Sequence, residues 1–188
     1  MTKNELHSLS KKYLIASSDL AGKLHDGKIS AIALPAFEND LKYEHFAMHQ
    51  DEDALYIQFF DVSGILIKQI KSHYTADDFI YVREPYWVDD GVIKYFSDFC
   101  PGNLFIKTKV TPGKFMKKIN ARTFLHIKSV SCRRLSDINS YELSKLGFKS
   151  ILDFLDFYDY QLGEERYEKF RSYKNPYVFY YEFEVFSV

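Results

Sequence analysis

The chain has 188 residues, 46% of them apolar and 27% charged, with a formal net charge of −1. This length and apolar content provide for one good core and are short for two independent ones, so a single domain spanning 1–188 is the expectation. Near-neutral charge excludes a bulk polycation that holds nucleic acid by counterion release, and the mixed composition excludes a disordered tail or a fibre.

The first 26 residues read as helical, with Leu6, Leu9, Tyr13 and Leu14 at helical spacing and Gly27 placed to end a stretch from Ser18. "KISAIALP" reads as a strand. "ALYIQFF" at 54–60 and "ILIKQI" at 65–70, joined by "DVSG", read as a hairpin. "FIYVREPYWV" reads as a further strand, which Asp89-Asp90-Gly91 turns into "VIKYF".

"NLFIKTKV" is another strand candidate, broken at Thr111-Pro112-Gly113, and "RTFLHIKSVSCRR" at 122–134 has the composition of a long, curved barrel strand. Asn139-x-x-Glu142 resembles a capping box opening a short helix that Gly147 closes. A second helix is expected over about 149–172, with an interruption at Gly163, and "NPYVFYYEFEVF" is the last strand. Roughly six or seven strands, an N-terminal helical segment and a helical insertion over 136–172 describe an α+β fold whose mixed or antiparallel sheet curls into a small barrel.

The 17 Phe and 15 Tyr lie largely in period-two segments and are assigned mainly to the core. Charge is asymmetric along the chain. Residues 103–134 contain Lys107, Lys109, Lys114, Lys117, Lys118, Arg122, Lys128, Arg133 and Arg134 and no acid, whereas acid concentrates at 51–53, 77–90 and 153–168. A basic patch for a phosphate backbone and a solvated sheet face both fit this pattern.

Cys100 and Cys132 form no CxxC pair, so neither a zinc ribbon nor a redox couple is signalled. His45 and His49 have the spacing of zinc ligands on a helix, but there is no HExxH order and no evident third ligand, so no metal and no cofactor is expected. There is no Gly-rich phosphate loop and no nucleophile elbow. No apolar run approaches the roughly 18 residues of a membrane span, and "MTKNELHSLSKK" lacks a signal-peptide core, so a cytoplasmic protein without a membrane partner is expected.

Several short segments occur in an order that resembles the ASCH domains of the PUA-like superfamily, of the kind common in phage and prophage genomes. Asp78, Val82, Arg83, Glu84 and, one residue late, Trp87 match a GD-x-ϕ-ϕ-V-R-E-x-W block. Met116, Arg122 and Leu125 match an M-P-x-x-x-x-R-ϕ-x-L block, and Arg134, Leu135, Asp137 and Ile138 with Gly147 match R-L-x-D-I before a short helix. Asn175, Pro176, Tyr177, Val178, Phe179, Phe183 and Glu184 match the C-terminal block. The family's G-x-K-T-x-T-R-R-P block is not reproduced: Ile29 stands where its Lys belongs, Ser30 for Thr, and Ala33 and Leu34 for the paired Arg.

The resemblance implies a PUA-like barrel with a cavity for a nucleobase or small polar group beside it, in phage-encoded members within the host cytoplasm. In that setting Arg83, Glu84, Trp87, Lys109, Lys117, Arg122 and Arg134 are the candidate ligands of RNA or of a modified base or nucleotide. Arg83 and Glu84 are adjacent on a strand and point to opposite faces. Glu84 either accepts hydrogen bonds from an exocyclic amine or acts as a base, or else forms an ion pair with Arg122. Trp87 either stacks on a base or packs in the core. Relatives resembling amidohydrolases of acetylated cytidine use a Lys, a Thr and a Glu, for which Lys28, Ser30 and Glu84 are the counterparts here. With the Lys-Thr block missing, non-catalytic binding is the leading expectation, amide hydrolysis on a modified nucleoside the alternative, and docking to a host protein through Tyr158 and Tyr160 a third.

Overall fold

A computed structural model describes residues 1–37, 45–51, 54–99 and 109–188. In chain order the elements are α1 (Lys3–Leu9), β1 (Lys12–Ile15), α2 (Ser18–His25), β2 (Ala31–Phe37), β3 (His45–Gln50), β4 (Leu55–Phe60), β5 (Leu66–Lys71), β6 (Phe79–Arg83), β7 (Tyr86–Asp89), β8 (Val92–Tyr95), β9 (Thr123–Arg134), α3 (Ser140–Lys145), α4 (Ile151–Gln161), α5 (Gly163–Phe170) and β10 (Tyr177–Ser187). This is a mixed α+β arrangement. Five strands hydrogen-bond in the order β1-β6-β9-β10-β2, and β3-β4-β5 and β7-β8 form smaller sheets. The β1–β6 pair is parallel and its neighbours are antiparallel, so the large sheet is mixed. The described residues contain ten strands, more than the six or seven expected.

The described residues fall into two compact units. The first holds Met1–Ser30, Asp78–His126 and Phe183–Val188; the second holds Ala31–Asp77 and Ile127–Glu182. Strands β9 and β10 run through both. In the first unit Leu6, Tyr81, Ala121 and Phe124 are buried together, with Phe79 and Phe186 against them. In the second, apolar faces of α3 and α4 bury Leu143, Leu146, Phe154 and Tyr158 with Val178 and Tyr180 of β10.

The N-terminal 26 residues are not continuously helical. Thr2 caps α1 with a capping box to Glu5, but the chain turns extended at Ser10, and Lys12–Ile15 pairs in register with Ile80–Arg83. Leu14 is buried by that pairing while Leu9 and Tyr13 stay on the surface. Helical spacing of apolar residues is outweighed here by a strand partner far along the chain. "FIYVREPYWV" is likewise two strands, β6 and β7. They separate at Glu84-Pro85, where proline supplies no ladder donor and biases the residue before it.

Several local expectations map closely. The 54–60 and 65–70 segments form the β4–β5 hairpin. Asp90 and Gly91 both have positive φ, 47° and 78°, which is the two-residue turn that matches strand twist in the β7–β8 hairpin. The Asn139–Glu142 capping box opens α3, and helix breaks at Leu162-Gly163 as its glycine suggests. His45 and His49 lie on strand β3 and not on a helix. Of "NLFIKTKV", residues 103–108, with Lys107, lie outside the described residues, as does Cys100; Lys109 and Val110 join no regular element. No helix among the described residues is long and apolar enough to cross a membrane.

Candidate functional site

The end of β6 sets two side chains on opposite sides of the backbone, and both lead to arginine clusters in the first unit. Glu84 points inward and is 1% exposed. Arg122, just before β9, meets it with Nε at 3.0 Å from Oε1 and Nη2 at 3.3 Å from Oε2. The same guanidinium donates to both oxygens of Asp98, at 2.9 and 2.6 Å, and to the Ser97 hydroxyl at 2.8 Å. Ser97 in turn donates to Glu84. One cation thus faces two carboxylates, all three guanidinium nitrogens donate hydrogen bonds, and the ring of Tyr95 lies beneath with Cζ at 3.9 Å from its centroid.

Electrostatics follow from this geometry. Burial works against the Arg122 charge, yet the hydrogen bonds and charges of Glu84 and Asp98 outweigh it and hold the group above its usual range. Burial raises the Tyr95 phenol, which donates at 2.7 Å to the Asn120 carbonyl. Glu84 therefore takes the ion-pair alternative. Its partners are Arg122 and Ser97, while Lys28 pairs with Asp26 at 2.6 Å and Ser30 is exposed. The three side chains of the hydrolytic alternative are not brought into one hydrogen-bonded group.

Arg83 points the other way. Its Cζ lies 3.7 Å over the Tyr13 ring and 5.3 Å from that of Tyr81, Nη2 donates to the Tyr81 hydroxyl at 2.8 Å, and Nη1 donates to the Lys114 carbonyl at 3.1 Å. Tyr13 is 43% exposed and Phe115, next to Lys114, is 63% exposed. The Lys114 ammonium sits 5.0 Å from the Phe115 centroid. Lys109 and Lys117 are exposed in the same unit, and Lys118 is anchored by the carbonyls of His7 and Ser10 at 2.7 and 3.0 Å. The turn carrying Lys114 is held close because Gly113 has no Cβ: one would come 3.0 Å from the Arg83 carbonyl oxygen.

The other candidates are placed elsewhere. Trp87 is 6% exposed and packs against Phe96 and Phe99, so it takes the core alternative. Arg134 belongs to the second unit, where its Cζ lies 5.0 Å from the Tyr177 centroid. Tyr158 is buried at 3%, which removes it as a docking aromatic, whereas Tyr160 is 79% exposed. Cys132 is buried with its thiol pushed up to about 12, the state of an inert cysteine. The second unit also holds a cleft of about 170 Å³ lined in part by Gln50, Thr75, Lys128 and Ser129, smaller than an ordinary ligand pocket. Among the described residues no group of three or more His, Cys, Asp or Glu is arranged to hold a metal ion.

Sequence reasoning passed over Tyr13 and Phe115. Tyr13 was assigned to a helix face, and the signal that reveals it is the odd-numbered exposure of an edge strand, visible only once β1 is known to be a strand. No family model, no curated protein and no solved structure matches the chain.

Proposed function

We propose that this chain is a non-catalytic, PUA-like domain of phage or prophage type that binds single-stranded RNA through the surface around Tyr13 and Arg83. The observation that carries this reading is the Arg83 guanidinium lying 3.7 Å over a tyrosine ring that is itself 43% exposed. A guanidinium fixed on one side of an aromatic ring, with a second exposed ring at Phe115, offers planes on which unpaired bases stack irrespective of sequence. Exposed Lys109, Lys114 and Lys117 supply the phosphate-directed charge that the chain's net −1 withholds elsewhere. The commitment of Glu84 to Arg122 and Ser97, and of Lys28 to Asp26, favours binding over amide hydrolysis.

Fluorescence anisotropy with a labelled oligouridylate tests this. Affinity should fall with salt, and the combined Lys109→Ala, Lys114→Ala and Lys117→Ala variant should flatten the log–log slope by about 2, at roughly 0.7 per phosphate contact. Tyr13→Ala should weaken binding by roughly 5- to 150-fold, the equivalent of about 1–3 kcal/mol for one stacked base. A salt-independent signal, or affinity unchanged in both variants, would sink the proposal.

A further inference from the structure

The inner side of α4 buries Phe154 and Tyr158, as a helix lying on a core must. Its outer side is not uniformly polar. Leu152 is 69% exposed and Tyr160 79%, and exposed Asp156 stands midway between them. Four-residue spacing sets Leu152, Asp156 and Tyr160 in one row along the helix, with exposed Asp153 three residues before Asp156 and beside it. Both ends of the row are fixed. The Ser150 hydroxyl accepts from the Leu152 amide at 3.2 Å, and the Asp159 carboxylate accepts the Ser172 amide and hydroxyl at 2.7 and 2.8 Å. A partner laid on this row therefore meets a surface that is already ordered, which lowers the cost of binding.

Charge decides what such a partner must be. Residues 153–168 carry six acids against one cation, Arg166. That balance repels a nucleic-acid backbone and an anionic lipid surface alike. A second copy of the chain fits no better. In a two-fold antiparallel pairing centred on the row, Leu152 of one copy would meet Tyr160 of the other, but Asp156 would face Asp156 and Asp153 would face Asp159. Like charges so placed work against association. A basic helix meets no such conflict: a cation opposite Asp153 and Asp156 leaves its flanking apolar side chains to cover Leu152 and Tyr160.

We propose that the outer row of α4 docks an amphipathic helical segment of another protein, with Lys or Arg at its centre and a large apolar residue four positions to either side. Leu152 and Tyr160 supply the buried contact, and Asp153 and Asp156 the choice of partner. This surface is separate from the Tyr13–Arg83 reading and does not depend on it.

The test uses a labelled peptide of about sixteen residues, long enough to hold a helix by itself, with Leu, Lys and Leu at four-residue spacing on an Ala- and Gln-based helix. A control peptide has Glu in place of Lys. The intact chain should bind the Lys peptide at least about tenfold more tightly than the Glu peptide, a preference of about 1.4 kcal/mol, with slowed amide hydrogen exchange over Ile151–Gln161. Asp153→Lys with Asp156→Lys should invert that preference, and gain of the Glu peptide itself shows the variant is folded. Equal binding of both peptides, no binding at about 1 mM, a loss of both in the charge variant, or a wild-type dimer dispersed by Leu152→Ala with Tyr160→Ala would each overturn the proposal.

Discussion

Arg83 and Arg122 make the same contact in different surroundings. Each lays its guanidinium over a tyrosine ring, at 3.7 Å for Tyr13 and 3.9 Å for Tyr95. Arg122 is 9% exposed and its five hydrogen bonds end on Glu84, Asp98 and Ser97. Arg83 reaches one carbonyl and one hydroxyl and rests on a ring that solvent still reaches. An arginine–tyrosine stack is thus neither structural nor functional by type. What separates the two is whether carboxylates have consumed the cation, and a strand's alternation lets neighbouring residues, Arg83 and Glu84, serve one stack each.

The largest expected effect lies on the buried side. Arg122→Ala would leave the Glu84 carboxylate inside the protein with the Ser97 hydroxyl as its remaining partner, and removing one member of a buried ion pair costs about 3–5 kcal/mol. Urea denaturation would read this as a lower midpoint, and Glu84→Gln in the same background should restore part of the loss because the buried charge is gone. A loss below about 1 kcal/mol would mean that the Arg122 cluster is no more structural than a surface ion pair, and the comparison would fail.

A smaller effect is expected where the two sides meet. Alanine at Gly113 brings a Cβ to 3.0 Å from the Arg83 carbonyl oxygen and 3.1 Å from the Glu84 carbonyl carbon, both backbone atoms that move only with the strand end. Overpacking of this kind costs about 1–3 kcal/mol, less the roughly 0.4–1 kcal/mol gained by stiffening the unfolded chain. Because the same turn presents the Lys114 carbonyl to Arg83, Gly113→Ala should weaken both stability and oligouridylate binding. A variant that loses stability alone would uncouple the turn from the Arg83 surface.

How far the sequence discloses these two sides depends on the distance over which each is determined. The Asn139–Glu142 cap, the Asp90-Gly91 turn and the β9 run are set by neighbours in the chain, and all appear where local chemistry places them. The Glu84–Arg122 pair spans 38 residues, yet was foreseeable as an alternative because a buried carboxylate demands a cation and Arg122 opens the adjacent strand. Tyr13 was not foreseeable. Its role depends on β1 pairing with β6 across 68 positions, Tyr13 opposite Tyr81, and nothing in the local pattern of "KKYLIA" distinguishes that strand from a helical turn. Trp87 misleads for the opposite reason: a lone tryptophan draws attention as a stacking group, while Phe96 and Phe99, which enclose it, carry no motif.

The smallest change in stability should accompany the sharpest change in binding, at Arg83 itself. Lysine there keeps the positive charge but has no planar fork, so it gives up the ring stack and cannot hold both the Tyr81 hydroxyl and the Lys114 carbonyl. Because the Arg83 contacts lie at the surface end of β6, the expected loss is near 0.5 kcal/mol, the range of substitutions away from the core. If Arg83 fixes Tyr13 for a base, Arg83→Lys weakens oligouridylate binding without altering the salt slope, since charge is conserved and geometry is not. Lys117→Ala should do the reverse, lowering the slope by about 0.7 with little effect on the salt-extrapolated affinity. Were both substitutions to act on the slope alone, Arg83 would be one more surface cation, and its stack on Tyr13 would be structural like that of Arg122 on Tyr95.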